Sequence, residues 1–232
     1  MAYKPILFNT EMVKAIMAGR KTQTRRLIKD FAGEEITSIL KPDGSFGKYG
    51  TKGWCGMLPD RGDGNEYCIE VRPPCEPGDI MWVRETWQHV YNFDDGDQLI
   101  EGTGRYVYYA DNPMPFDYWV DPDTGEHKEQ MPWKPSIHMP KEAARIFLRV
   151  KDVRVERLQD IKNYECVDEG AVKKPNITKR GDLVLHNRYK EEFARLWDTT
   201  IKPADLGKYG WDANPWVWVI EFERCEKPEG WC

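Results

Sequence analysis

The chain has 232 residues, enough to bury a hydrophobic core, and we expect one domain spanning residues 1–232. With 31% charged residues and no apolar run near the roughly 18 residues that a spanning helix needs, the composition excludes a membrane protein. The net charge of -5 argues against nonspecific binding of nucleic acid by the whole surface, although residues 1–30, with seven Lys and Arg against two acidic residues, carry a local charge of +5.

The first predicted elements are a short strand at residues 5–8 and a helix that starts after Asn9. Asn9 is a typical N-cap residue, and the apolar residues that follow recur at helical spacing. Gly19 is expected to end this helix in the left-handed conformation. The N-terminal residues lack the pattern of a signal peptide, which predicts a cytoplasmic location.

The middle of the chain alternates between turn-rich segments and strands. Residues 30–65 are rich in Gly, Pro, Lys and Asp and are predicted to form an irregular hairpin region. Alternating patterns predict strands at 67–72, 80–87 and 105–109. The proline-rich stretch 111–140 is expected to be an ordered insertion held by aromatic side chains.

The C-terminal part predicts a long strand at 144–158, bent near Lys151, and a last strand at 215–223. Helices are predicted within 160–170 and, with clear amphipathic spacing, at 188–197. Half-buried strands far apart in sequence, with three modest helices, favour a mainly β fold with some α. We expect a small closed β-barrel with short helices at its mouth.

Residues 19–26, which we call the basic motif, are the densest cluster of chemically active side chains. Its cations and hydroxyls are Arg20, Lys21, Thr22, Thr24, Arg25 and Arg26. A solvated charged turn is the simplest interpretation. A phosphate clamp is the alternative, because arginine forks and hydroxyls bind the backbone oxygens of RNA or of a nucleotide.

Four features in this order resemble the ASCH family: the basic motif, the Pro-Gly-Asp turn at 77–79, the Leu-Gln-Asp-Ile stretch ending at Glu169, and the closing Val-Trp-Val-Ile-Glu-Phe. ASCH domains are PUA-like barrels, and this chain is similar to the larger members found in bacteriophages and prophages. The resemblance implies a PUA-like closed barrel with insertions at about 30–65 and 88–138. It also implies that the predicted cytoplasmic location is the cytoplasm of a bacterial host cell.

A small bacterial member of the family removes the acetyl group from N(4)-acetylcytidine with a lysine, a threonine and a glutamate. The resemblance implies Lys21, Thr24 and Glu169 as the catalytic residues here, with Glu165 or Asp168 as alternatives for the carboxylate. A threonine hydroxyl needs a neighbouring base, and lysine serves as one when its pKa is lowered. Neighbouring cations would lower that pKa and a close carboxylate would raise it.

Geometry adds a condition to this hypothesis. Residues three apart point to opposite faces of a strand, so Lys21 and Thr24 converge if residues 20–24 turn.

Substrate-binding roles are predicted for the remaining polar residues of the basic motif: Arg20, Thr22, Arg25 and Arg26. Trp87 or Trp133 is expected to expose a ring that stacks on a base, although most tryptophans should be core. His138, between two prolines, either donates to the substrate or packs and caps.

No metal or other cofactor is expected. Cys55, Cys68 and Cys75 cluster as three zinc ligands would, but their spacing matches no common zinc pattern, and we interpret all cysteines as reduced thiols.

The leading functional hypothesis is an RNA- or nucleoside-directed protein with a basic pocket, in its sharpest form an amidohydrolase that deacylates N(4)-acetylcytidine or a related acylated cytosine. The expected partner is RNA or a modified nucleoside. Three alternatives remain: a non-catalytic module that binds RNA or a modified base, a ribonuclease, and a phage interaction or assembly protein for which the fold is a scaffold.

Overall fold

The structure is a computed structural model that describes residues 1–29, 34–41, 53–65, 67–94, 100, 102–115, 119–121, 124–171, 176–177, 183–184 and 189–231. The predicted features at 30–33, at 42–52 and at Arg188 lie outside these residues.

Strands supply most of the regular structure. In chain order they are β1 (Tyr3–Leu7), β2 (Gln23–Leu27), β3 (Ser38–Leu40), β4 (Trp54–Met57), β5 (Cys68–Val71), β6 (Ile80–Arg84), β7 (Trp87–Val90), β8 (Arg105–Tyr108), β9 (Trp119–Val120), β10 (His127–Lys128), β11 (Phe147–Arg157), β12 (Asn176–Ile177), β13 (Leu183–Val184) and β14 (Trp216–Cys225).

The α-helices are α1 (Thr10–Met17), α2 (Asn163–Asp168), α3 (Tyr189–Thr200) and α4 (Leu206–Tyr209). Helix α1 starts where the sequence predicts, because the Asn9 side chain accepts a hydrogen bond from the Met12 amide. Short 3₁₀ helices lie at Ser136–His138, Lys141–Ala143, Leu158–Asp160 and Pro203–Asp205.

The chain divides into two compact units. Unit 1 comprises Met1–Lys21, Gly78–Arg149 and Glu223–Cys232, and unit 2 comprises Thr22–Pro77 and Val150–Phe222.

In unit 1, β1 pairs in parallel with β6, and β6 pairs antiparallel with the first residues of β11. Its core contains Ile80, Met139, Phe147 and Trp231. The predicted strand 80–87 is two strands, β6 and β7, and β7 pairs with β8.

In unit 2, β14 pairs antiparallel with β2. Val217 and Val219 of β14 pack against Cys166 of α2 and against Phe193 and Trp197 of α3, so the two helices cover this face of the pair. Strands β3, β4 and β5 form a separate antiparallel sheet, also within unit 2.

The closed barrel predicted from the sequence is wrong. Among the residues that the structure describes, the largest sheet has the strand order β1-β6-β11-β14-β2, and its end strands β1 and β2 do not pair with each other. This part of the chain is therefore a mixed α+β arrangement of open sheets. An alternating pattern shows that a strand has one buried face, but closure depends on a register between first and last strands that the pattern does not contain.

Candidate functional site

The basic motif begins directly after α1, in unit 1. Gly19 has a φ of +70°, as predicted for a helix-ending glycine, and the amides of Arg20 and Lys21 both donate to the Ala15 carbonyl, at 2.9 and 3.2 Å. Lys21 is 2% exposed, and its ammonium nitrogen lies 5.4 Å from the centroid of the Phe8 ring. Lys21 is therefore buried within unit 1, whereas Arg20 is exposed.

The rest of the motif enters β2, in unit 2, where alternation divides its side chains between two faces. Arg25 lies opposite Val219, which packs with Cys166 of α2 and Phe193 of α3. Arg25 therefore points towards the helices, and Thr24 points to the opposite face of the strand. Both residues are at most 3% exposed.

Three carboxylates surround the Arg25 guanidinium. Its Nη1 lies 3.2 Å from Glu169 Oε1, and its Nη2 lies 3.1 Å from Glu156 Oε2 and 3.4 Å from Glu165 Oε2. Within the described part of the chain, Nε of Arg25 has no hydrogen-bond partner. A buried guanidinium neutralised in this way anchors α2 to β2.

A second arginine extends this network along β11. Arg154 bonds Glu165 at 2.8 Å and Glu156 at 2.5 Å, and it also pairs with Glu221 of β14. Glu165 is thus shared by Arg25 and Arg154. Arg154, Glu156 and Glu221 were not among the residues predicted from the sequence. Their positions in two predicted strands nevertheless place charged side chains on strand faces, where they need polar partners.

Thr24 and Arg26 share the other face of β2. Arg26 Nη1 donates to Thr24 Oγ1 at 3.0 Å and to the Arg25 carbonyl at 3.2 Å. Burial lowers the pKa of Arg26, while the charges of Glu169 and Cys75 act in the opposite direction. The Thr24 hydroxyl therefore sits against a cation in a buried environment.

Asp168, at the end of α2, contacts the residue that leads into β2. Its carbonyl accepts the Thr22 amide at 2.9 Å, and the Thr22 side chain bonds its carboxyl group. Asp168 is half-buried. Burial, followed by the negative charges of Glu165, Glu221 and Glu169, raises the pKa of Asp168, and the bond from Thr22 opposes the rise.

Two of the predicted substrate-binding residues, Arg25 and Trp87, are buried by contacts within the protein. Arg25 is enclosed by carboxylates, so its guanidinium is not presented to a ligand phosphate. Trp87 was one of two tryptophans, with Trp133, expected to expose a ring, but it is 6% exposed and packs edge-on against Tyr106. The expectation failed because β7 pairs with β8, and Gln88, on the other face of β7, is buried as well.

The remaining predicted residues lie on surfaces. Thr22 and His138 are exposed, and His138 ends a 3₁₀ helix. Trp133 is half-buried and donates from Nε1 to the Pro113 carbonyl at 3.1 Å. The ligand-binding roles of Arg20, Thr22 and His138 stay predictions.

The described residues contain no group of three or more His, Cys, Asp or Glu side chains placed to hold a metal ion. The described cysteines Cys55, Cys68, Cys75, Cys166 and Cys225 are free thiols. Burial, together with a hydrogen bond between the Cys55 and Cys68 side chains, raises the pKa of Cys55 to about 12. Among the helices that the structure describes, none has the length and apolar character needed to cross a bilayer.

Comparison with known proteins adds no support to the resemblance to ASCH domains, which therefore rests on the sequence motifs alone. No family model, no curated protein and no solved structure matches the chain.

Proposed function

We propose that this chain is a nucleoside- or RNA-directed amidohydrolase that removes the acyl group from an N(4)-acylated cytosine such as N(4)-acetylcytidine. The observation that carries the proposal is the bond from Arg26 to the buried Thr24 hydroxyl. Burying hydroxyl and guanidinium groups costs free energy, and such arrangements concentrate at functional sites.

The geometry suits threonine as a nucleophile. A guanidinium beside a hydroxyl favours the alkoxide, because the negative charge that develops on the oxygen meets a fixed positive charge. Lys21 is the base that the resemblance assigns. A carboxyl group would then supply the proton that the cytosine amino group needs as it leaves. The proposal includes the cytoplasmic location that was predicted from the sequence.

The first test is incubation of purified protein with N(4)-acetylcytidine, with cytidine measured by chromatography. We expect turnover by the wild-type protein and its loss in Thr24→Val, which keeps the side-chain shape but removes the hydroxyl. Thr199→Val, at an exposed position on α3, is the matched control and should retain activity. Absence of cytidine, at a protein concentration where a control amidohydrolase reaches completion, would remove the proposal.

A non-catalytic module that recognises a modified base is the second candidate. The ion pairs of Arg25 favour it over a ribonuclease or a phosphate clamp, because a guanidinium held by three carboxylates has little attraction left for phosphate. Binding of acetylated RNA without product, and with a shallow salt dependence, would support this candidate. Cleavage of RNA would instead support the ribonuclease hypothesis. If the protein neither binds nor cleaves RNA, the hypothesis of a phage interaction or assembly protein remains.

A further inference from the structure

Two cysteine side chains on neighbouring strands of the small sheet in unit 2 contact each other. We propose that Cys55 and Cys68 are a redox-active pair, which closes to a reversible disulfide by exchange with oxidised glutathione. The inference concerns a modification site in β4 and β5 and does not depend on the proposed function.

The strand register places both cysteines on one face of the hairpin that β4 and β5 form. Met57 pairs with Cys68, and Cys55 shares the face of Met57 because it lies two residues before it. The Leu58 amide donates to the Tyr67 carbonyl at 2.9 Å, so these two form a hydrogen-bonded pair. Because such pairs alternate with non-hydrogen-bonded ones, Met57 and Cys68 belong to the second kind, in which facing side chains come closest.

Contacts join the sulfur atoms on this face. The Cys55 thiol donates to Met57 Sδ at 3.7 Å, and a hydrogen bond also joins the side chains of Cys55 and Cys68. The two cysteines are diagonal neighbours in the register, a relationship in which side chains lie within reach of each other. No large movement is therefore needed to bring the two sulfur atoms together.

The diagonal placement also predicts that the disulfide is easily reduced. Diagonal neighbours are about 7–8 Å apart. An unstrained disulfide joins Cα atoms that are about 4.4–6.8 Å apart. Closing the bond between Cys55 and Cys68 therefore draws the strands together locally, and a disulfide strained in this way opens readily.

Exposure assigns a different role to each cysteine. Cys55 has no exposed surface, whereas Cys68 is half-buried, so Cys68 is the thiol that meets the oxidant. Burial raises the pKa of Cys55, which keeps its thiol protonated and unreactive at first. The Cys68 charge contributes to that rise, so modification of Cys68 eases the ionisation of Cys55. An accessible cysteine beside a second one that resolves it is typical of redox-sensing pairs.

The exchange takes two steps. The Cys68 thiolate attacks one sulfur of oxidised glutathione, the S–S bond of glutathione breaks, and the first glutathione leaves with the Cys68 proton. Cys55 then loses its proton and attacks Cys68 Sγ, and the second glutathione leaves with that proton. The two cysteines are oxidised by two electrons in total, and oxidised glutathione is reduced to two molecules of glutathione.

Peptide mass spectrometry of the folded wild-type protein in glutathione buffers tests the pair. We expect tryptic peptide 53–61, which contains Cys55, to become linked to peptide 62–84 as the share of oxidised glutathione rises. The link should open when reduced glutathione is restored. Peptide 62–84 contains both Cys68 and Cys75, because trypsin does not cut before Pro73, so variants must identify the linked residue.

Four variants make this assignment. Cys68→Ser should abolish the link, and Cys75→Ser should retain it. Cys55→Ser should stop the reaction at the first step, with one glutathione bound to Cys68. Cys225→Ser, which removes a half-buried thiol of unit 1, is the matched control and should behave as the wild type.

Three results would overturn the inference. The first is a pair that stays reduced where oxidised glutathione fully oxidises a control dithiol protein. The second is a link that is lost in Cys75→Ser but kept in Cys68→Ser. The third is a link that resists reduced glutathione, because it would then be a structural disulfide. None of these results involves N(4)-acetylcytidine, so the proposed function stands or fails separately.

Discussion

Arg25 and Glu169 form a buried ion pair in which Nη1 lies 3.2 Å from Oε1 and neither side chain is more than 4% exposed. The pair joins two of the four segments that carry the resemblance to ASCH domains, the basic motif and the end of α2. Glu165 and Glu156 complete the surroundings of Arg25. A motif that looks like a solvated basic turn in the sequence is therefore, in large part, an internal network.

The first prediction concerns stability. Arg25→Met should lower the free energy of unfolding by about 3–5 kcal/mol, because removal of one partner leaves buried carboxylates without their counter-ion. Denaturation in urea measures this change. Arg20→Met is the matched control, and at its exposed position we expect a change within about 0.5 kcal/mol. Equal stability of the two variants would show that Arg25 does not hold α2 in place.

The second prediction concerns pH and Asp168. Its pKa is raised in the folded state, so between the unfolded value of about 3.9 and the folded value the native protein binds more protons than the unfolded one. Stability from this residue is therefore lost as pH rises through that interval. Asp168→Asn should be more stable than the wild type at pH 7 and equal to it below about pH 3.9.

Unfolding curves of both proteins across this pH range measure the difference. A variant less stable than the wild type at pH 7 would contradict the argument.

The third prediction concerns Arg26. Arg26→Gln removes a charged hydrogen bond to Thr24, worth about 1.5–3 kcal/mol. We expect kcat/KM for N(4)-acetylcytidine to fall by about 10- to 150-fold, mainly through kcat, because the charge acts on the developing alkoxide. Lys29→Gln, an exposed cation just beyond β2, is the control. A loss confined to KM would assign Arg26 to substrate binding instead.

The fourth prediction concerns Trp87. Trp87→Ala should cost about 3–5 kcal/mol of stability, because a large core side chain is removed. Trp87→Phe should cost much less, because within the described residues the indole Nε1 has no hydrogen-bond partner to lose. KM should not change in the phenylalanine variant. A raised KM at unchanged stability would restore the base-stacking role expected from the sequence.

Much of the fold follows from sequence patterns, and the exceptions have physical reasons. Helix α1, the long strand β11 and the last strand β14 combine alternation or helical spacing with clear end signals, and each was predicted close to its observed bounds. Strand β2 was not predicted, because Gln23–Leu27 is polar and buried on both faces, so it shows no alternation of apolar residues. Sheet closure depends on register, which local patterns do not specify.

The candidate site was only partly predictable. The resemblance to ASCH domains singles out Thr24 and the acidic segment at 165–169. Which carboxyl group meets which side chain depends on the direction of each side chain from β2, and that direction follows from the pairing of β2 with β14. Arg154 and its partners become visible only when β11, α2 and β14 are placed together.

The most direct test of the account is mass spectrometry of the Thr24 peptide from protein quenched during turnover of N(4)-acetylcytidine. We predict a fraction of the peptide carrying one acetyl group on Thr24, and none in Thr24→Val. Cytidine production with the Thr24 peptide unmodified, and at an undiminished rate in Thr24→Val, would contradict it.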